Sequence, residues 1–254
     1  MSIRTETRGR TLALVIDRPE KKNAFTLAMY RDLIAKLDAA AADSTVRAVL
    51  IEGAGGCFTS GNDLADFLGH RPDGGPLPAQ EFLHRLVDFP KPLVAAVDGP
   101  AVGIGTTLLL HCDLVFATAS SKLKLPFTSL GLTPEGGSTR LLTALAGPQR
   151  AGELLLLGET FSTEHAAQMG LINEVLPNAE ALAARVGERM TQLTQLPPST
   201  MQAAKKLLRD PGRAELHAII DAEVEVFVER LGSPEAHEAM TAFMAKRPPN
   251  FDRF

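Results

Sequence analysis

The chain has no tryptophan, one tyrosine and two cysteines in 254 residues. Aromatic residues make up only 5%. A core built from this sequence is therefore mostly Leu, Ala, Val and Ile, and a stacking platform for single-stranded nucleic acid is not expected. A basic excess is also missing. Lys and Arg number 26 against 30 Asp and Glu, a formal net charge of -4, which leaves no electrostatic footprint for DNA or RNA. Cys57 and Cys112 cannot build a disulfide framework and lack the partners for a zinc site. They are expected to be small buried side chains in a reducing cytoplasm. No apolar run reaches the roughly 20 residues of a membrane span. Met1-Ser2-Ile3-Arg4-Thr5-Glu6 has no apolar signal core, and Asp252-Arg253-Phe254 is not a peroxisomal address. A cytoplasmic protein with no membrane partner is the expectation. His70, His84, His111, His165, His217 and His237 show no metal-ligand spacing and no pairing with a nucleophile, so surface or capping roles are expected and no metal. Nucleophile-elbow and phosphate-loop motifs are absent.

What is present is 45% apolar residues, enough for one large domain or one domain with a helical appendage. Thr11–Ile16 alternates as a strand. Thr26 is placed to cap a helix carrying Leu27, Tyr30, Leu33, Ile34 and Leu37 at helical spacing. Strands are expected at 46–51, Leu93–Val97, 113–117 and 173–176. Helices are expected at 62–68, 79–89, 104–110 and from Pro134 to about 145, with a surface loop at 69–78. Ser162 is a helix N-cap. From about residue 190 the periodicity turns helical. The segment 211–231 puts Leu216, Ile219, Ile220, Val224, Phe227, Val228 and Leu231 on one side and Glu215, Asp221, Glu225 and Glu229 on the other. The expected class is α/β, with a β/α core over 1–195 and a helical C-terminal region over 196–254.

Two glycine-rich turns carry the chemistry. Gly61-Asn62-Asp63-Leu64 and Gly103-Ile104-Gly105 each follow a strand-like run and precede a helix-like run. Such turns leave backbone N–H groups free, and two side by side can hold one developing negative oxygen. Asn62 N–H and Ile104 N–H are the candidates. Either turn alone reads as a tight strand–helix connection. The second is half of a dinucleotide fingerprint, but Leu108 stands where a third glycine belongs. Thr133-Pro134-Glu135 taken alone is a helix start in which the acid serves the helix end. Two features turn Glu135 toward catalysis. Gly136 and Gly137 are poor residues for a first helical turn, and Leu130, Leu132, Leu141 and Leu142 are apolar flanks that would raise a carboxyl pKa. Asp63, Asp98 and Asp113 are expected to bond local backbone.

Taken together, Phe58-Thr59-Ser60-Gly61-Asn62-Asp63-Leu64 and the run from Lys91-Pro92-Leu93 to Gly103-Ile104-Gly105 resemble the crotonase (enoyl-CoA hydratase/isomerase) superfamily. Arg18-Pro19-Glu20-Lys21-Lys22-Asn23-Ala24 and Ala167-Gln168-Met169-Gly170-Leu171-Ile172 extend the likeness along the chain. The resemblance implies a spiral of ββα units, a C-terminal helical region used for trimerisation, and an acyl-CoA thioester held by the N–H groups of Asn62 and Ile104. A homotrimer or dimer of trimers follows, with coenzyme A as part of the substrate and no separate cofactor. Hydratases of the family use two Glu residues, and at the matching positions this chain has Thr107 and Phe127. The run from Pro126 to Gly137 instead resembles Δ3,Δ2-enoyl-CoA isomerases, in which the acid at Glu135 is the sole acid/base. Lys21, Asn23, Ala24, Ser60, Gly61, Asp63 and Leu64 are implied for the coenzyme, with Lys246 of a neighbouring subunit. Phe67, Gly103, Gly105, Thr107, Phe127 and Leu130 are implied around the acyl chain and turns. The rival expectations are a hydratase or another crotonase reaction, and a non-catalytic scaffold trimer. With Thr107 and Phe127 in place of acids, the purified protein is expected to hydrate crotonyl-CoA poorly, and robust hydration in a spectrophotometric assay would refute that reading.

Overall fold

The computed structural model describes residues 3–63, 65–66 and 76–254. Strand β1 (Ile3–Arg8) pairs antiparallel with β2 (Thr11–Ile16). Parallel pairing then runs through β3 (Ala48–Gly53), β4 (Leu93–Val97), β6 (Leu114–Thr118) and β9 (Glu174–Leu176). The large sheet has the order β1-β2-β3-β4-β6-β9. A small sheet holds β5 (Ala101–Val102), β7 (Lys122–Lys124) and β8 (Thr160–Ser162), and Thr59 adds a bridge to Ala101 at its edge.

The chain alternates between the two sheets and so climbs as a spiral. After β3 it passes the Thr59 bridge and reaches helix α2 (Pro78–Asp88), α1 (Leu27–Ala42) having crossed earlier between β2 and β3. After β4 it enters β5 and then α3 (Ile104–Thr107), which runs into a 3-10 turn over Leu108–His111. After β6 it enters β7 and, past an irregular segment, α4 (Ser138–Ala146). This geometry carries each strand–turn–helix junction to one end of the sheets.

A parallel sheet buried on both faces reads as unbroken apolar runs, and β4 is buried at every residue. The faces alternate with period two. Leu93, Ala95 and Val97 join the main core with α1 and α2, while Val94 and Ala96 join Ala13, Leu50 and Phe116 on the other face. That second face is covered by Leu182, Val186 and Met190 of the helix Ala179–Gln195, which follows the short helices Pro148–Gly152 (α5) and Thr163–Gln168 (α6) and is α7. The last helices are α8 (Pro198–Arg209), α9 (Arg213–Leu231) and α10 (Pro234–Met244). Ile220, Val224, Phe227, Ala236 and Met240 join the main core, so the C-terminal helices share it.

Side-chain caps follow the sequence. Thr26 accepts from Met29 N–H and Ser162 from His165 N–H, each at 3.2 Å. One expectation is corrected, and two are described only in part. The helix expected from Pro134 begins at Ser138, because Gly136 and Gly137 lie at φ +75° and +69°, left-handed values that no helix accommodates. Of the helix expected at 62–68, Ala65 and Asp66 are helical and the remainder beyond 66, with Leu64, lies outside the described residues. Of the loop expected at 69–78, residues 69–75 lie outside them, and Pro78 opens α2.

Asp113 shows how the C-terminal helices are tied to the sheet. It bonds local backbone less than expected: it accepts from Leu93 N–H at 2.8 Å and from Lys205 Nζ on α8 at 2.7 Å. Lys205 is buried and also donates to Lys91 O at 2.7 Å, and burial lowers its pKa. Removing one partner of such a pair leaves an uncompensated charge, so Asp113→Ala should cost about 3 kcal/mol in denaturant-unfolding measurements.

Candidate functional site

The two glycine turns lie against each other because the spiral stacks them. Thr59 N–H donates to Pro100 O and Val102 N–H to Thr59 O, both at 3.0 Å. Gly61, at φ +92°, packs so closely that a Cβ there would sit 2.8 Å from Val102 O, and a Cβ on Gly105 would sit 2.4 Å from Thr59 Cγ2. Glycine at 61 lets backbone meet backbone, and glycine at 105 leaves room for the Thr59 side chain. Phe25 N–H donates to Gly61 O and Asp63 N–H to Phe25 O. That parallel bridge turns Asn62 N–H away from Phe25. Among the hydrogen bonds of the described residues, Asn62 N–H finds no acceptor, and neither do Ile104 N–H and Gly105 N–H in the first turn of α3.

Glu135 lies beside Thr107, on the same short helix as Ile104, and not at a helix start. Its side chain is buried, and Thr107 Oγ1–H, one turn along from Ile104, donates to its Oε1 at 2.6 Å. Burial pushes its pKa up to about 8; the Thr107 hydrogen bond works against that, and the nearby Glu223 carboxylate adds to it. Tyr30, from α1, donates its hydroxyl to Asn62 Oδ1. Burial holds the Tyr30 pKa well above its usual value, and the Glu135 charge raises it further. Tyr30 thus bonds the first turn directly and feels the Glu135 charge.

The turn carrying Glu135 is held from two sides. His111 Nε2 bonds Gly136 O at 2.8 Å. Desolvation lowers the His111 pKa to about 4, so the ring is neutral and donates. Glu223, on α9, accepts from Gly137 N–H at 2.6 Å, Thr139 N–H at 3.1 Å and Thr139 Oγ1–H at 2.5 Å. Thr133 caps no helix: its buried hydroxyl has no hydrogen-bond partner among the described residues, and the Glu223 carboxylate serves the start of α4. His111 is likewise buried and not a surface residue. His84 and His217 meet across α2 and α9, with their outer nitrogens on Asp221 at 2.7 Å and Asp88 at 3.0 Å.

The remaining candidate residues divide. Thr107, Gly61, Gly103 and Gly105 belong to the stacked turns. Phe127 is buried and Leu130 half-buried on the segment leading to Glu135. Lys21 is exposed and Ser60 half-buried at the mouth of the first turn. Asp63 is ion-paired with Arg18 at 2.7 Å, and hydrogen bonding from Arg18 lowers its pKa. Ala24 is buried, and its carbonyl accepts from Arg18 Nη1 at 3.1 Å. The Asn23 side chain is spent on the scaffold. It is fully buried, its amide donates to Ala54 O and Cys57 O, and its oxygen accepts from Arg18 N–H. Leu64 and Phe67 lie outside the described residues. Lys246 is exposed in a left-handed conformation at φ +52°.

Tyr30, His111 and Glu223 escaped sequence reasoning. Tyr30 is the only tyrosine, and a hydroxyl in an apolar stripe requires a partner. Glu223 sits between Ile220 and Val224, inside the stripe that the apolar residues of α9 define. An acid in that position was the available signal.

A cleft of about 480 Å³ lies on the other face of the large sheet, lined by Arg8, Leu50, Ala96, Leu182 and Val186 among others, and includes none of the candidate residues. Among the described residues no group of three or more His, Cys, Asp or Glu side chains is arranged to hold a metal ion, and no helix is long and apolar enough to cross a membrane.

Comparison with known proteins agrees with this architecture. The family model described as enoyl-CoA hydratase/isomerase matches residues 7–253. Enoyl-CoA delta isomerase 2 of Rattus norvegicus is 36% identical over 246 residues, covering 94% of this chain and 62% of its own length. The chain therefore spans less than two thirds of that relative. The 2,3-dehydroadipyl-CoA hydratase of Escherichia coli (strain K12) is 33% identical over 249 residues, 95% of each chain. OdaA of Pseudomonas aeruginosa superposes with a TM-score of 0.93 at 47% identity, covering 96% of this chain and 98% of that one. With its two-sheet spiral and its match over residues 7–253, this chain belongs to the crotonase superfamily, as a member of the enoyl-CoA hydratase/isomerase family.

Proposed function

We propose that this protein is a Δ3,Δ2-enoyl-CoA isomerase that moves a double bond with one carboxylate. The observation that carries the reading is the pairing of Glu135 with Thr107. The acid is buried, a neutral hydroxyl occupies the position where a hydratase of the family has a second acid, and unpaired N–H groups lie one helical turn away. A hydratase needs two acids to hold and activate water. An allylic proton shift needs one, because C2 and C4 lie on the same side of a short conjugated system.

In this reading the thioester oxygen of a 3-enoyl-CoA rests on Asn62 N–H and Ile104 N–H. Glu135 takes the proton from C2, and the two N–H groups stabilise the dienolate oxygen, each contributing about 10²-fold or more in rate. Glu135 then returns the proton at C4 to give the 2-enoyl-CoA. A carboxyl with a pKa near 8 is well matched to both transfers near neutral pH. Lys21, Ala24 and Ser60 are proposed at the coenzyme end, and Phe127 and Leu130 beside the acyl chain. The reaction so written calls on no redox or metal cofactor. A homotrimer or dimer of trimers in the cytoplasm is part of the same proposal, drawn from family likeness. The isomerase name of the rat relative supports the reading, and the hydratase name of the bacterial relative keeps hydration as the second one.

Glu135→Gln should lower isomerisation of a 3-enoyl-CoA by about 10³-fold while leaving binding of a CoA ester nearly unchanged. Wild-type turnover in that variant would end the proposal. The sign of the pH dependence follows from the raised pKa. The base is the ionised form, so kcat/KM for the wild type should fall as pH drops below about 8. Stability should move the other way. Folding holds the Glu135 proton more tightly than the unfolded chain does, so wild type should lose stability relative to Glu135→Gln as pH rises from about 4.5 through about 8. Denaturation across that range reads it.

A further inference from the structure

The Glu135 side chain has one hydrogen bond from a protein side chain, yet the backbone that carries it is fixed with care. Three groups converge on four residues. Thr107 holds the carboxylate, His111 holds Gly136 O, and Glu223 holds Gly137 N–H together with both donors of Thr139. Glu223 is the outlier, because it comes from α9, 86 residues further along the chain. It is buried among apolar residues of that helix. A buried carboxylate is costly unless its oxygens are answered. Here three donors answer two oxygens, and all three belong to the junction between the Glu135 turn and α4.

Resting on the isomerase reading above, we propose that Glu223 is a positioning residue for the reaction: it locks the left-handed Gly136–Gly137 turn and thereby sets where the Glu135 carboxylate stands. The geometry has two consequences. First, Gly136 and Gly137 have no side chains of their own to hold a positive-φ turn, so the turn's conformation depends on outside anchors. A Cβ on Gly136 would come within 3.0 Å of Thr107 Cβ, and both glycines hold positive φ that a side chain would strain, so bulk does not stiffen the turn. The anchor has to be a hydrogen-bonding group delivered from another element. Second, the Glu223 charge acts on Glu135 and helps keep its proton on. The other titratable groups bearing on the turn are Tyr30 from α1, which raises no competing positive charge, and neutral His111 from the 3-10 turn after α3. The His84 and His217 rings act on His111 from α2 and α9, with Arg209 from α8. Glu223 thus serves as a fixed clamp and, when ionised, as a negative charge beside Glu135; burial raises its own pKa, against the hydrogen bonds from Thr139 and Gly137 that favour the carboxylate.

The test uses the full-length protein and Glu223→Gln, which keeps the shape but offers one acceptor oxygen and no charge. Two readouts are taken. With a 3-enoyl-CoA, kcat should fall by about tenfold to a hundredfold with little change in KM, the cost of a base displaced by a fraction of an ångström. The infrared band of the protonated Glu135 carboxyl, identified by its loss in Glu135→Gln, should titrate about half a unit to one unit lower than in wild type. The acid limb of kcat/KM should shift with it. A structural residue that merely supports the fold would leave that titration in place, so an unshifted carboxyl band overturns the proposal, as does wild-type kcat. Where Glu223→Gln does not accumulate as folded protein, Glu223→Asp carries the kinetic test. It keeps the charge, falls a methylene short of its three donors, and should lower kcat at constant KM, with wild-type kcat again overturning the proposal. Failure of the isomerase reading looks different: Glu135→Gln would then retain turnover, or wild type would leave the 3-enoyl-CoA untouched, while the infrared titration still reports on Glu223.

Discussion

The rest of the site depends on a carboxylate held out of water. Glu135 is buried beside a second buried acid and receives one side-chain hydrogen bond. In water the same group is ionised at neutral pH and is a weak base, and the proposed proton transfer asks for a stronger one. Burial supplies the difference, and it does so at a cost that the surrounding apolar packing has to cover. Every neighbouring feature follows from this requirement. A strong donor such as Arg beside Glu135 would return its pKa to the ordinary range; a threonine hydroxyl satisfies one oxygen without doing so. The turn is built from glycines because the chain must pass Thr107 and Leu216 at close range.

The spiral is what makes such a site affordable. Asn62, Ile104 and Glu135 each follow a different strand pair, and the alternation between the two sheets returns the chain to the same end after each turn. The inner strands β2, β3, β4 and β6 are largely buried, so the junctions are located by the strands and not by the loops themselves. Close packing of Gly61 against the Val102 backbone and of Gly105 against the Thr59 side chain removes the remaining freedom. The C-terminal helices complete the arrangement from outside the spiral. Asp113 and Lys205 fasten α8 to the sheet, and Glu223 brings α9 to the Glu135 turn.

Much of the fold was legible in the sequence because burial leaves a periodic trace. Leu93–Val97 and Thr11–Ile16 were identified to the residue, and the caps at Thr26 and Ser162 follow from local chemistry that any helix start shares. β1 was missed, since its pattern of one buried residue followed mostly by exposed or half-exposed ones lacks the apolar alternation of an inner strand. The helix at 134 was misplaced for an instructive reason. Thr133-Pro134-Glu135 has the local form of a helix start, but two glycines at positive φ defer the helix to Ser138. The family resemblance implies Asn23 at the coenzyme end, whereas its side chain is spent inside the protein. Its hydrogen bonds to Ala54 and Cys57 could not be seen without the loop that folds over it.

The sequence by itself determined the strand and helix periods, the two glycine turns and the presence of an acid among leucines. Those are properties of neighbours in the chain, and residue spacing records them. Only the tertiary structure decided that Tyr30 would meet Asn62, that Thr107 would hold Glu135, and that an acid 88 positions beyond Glu135, at Glu223, would clamp its turn. Hydrogen bonds between groups so far apart have no spacing rule, because the intervening chain can be any length that returns to the same place. A buried polar group announces in the sequence that it needs a partner, and the fold alone chooses which one.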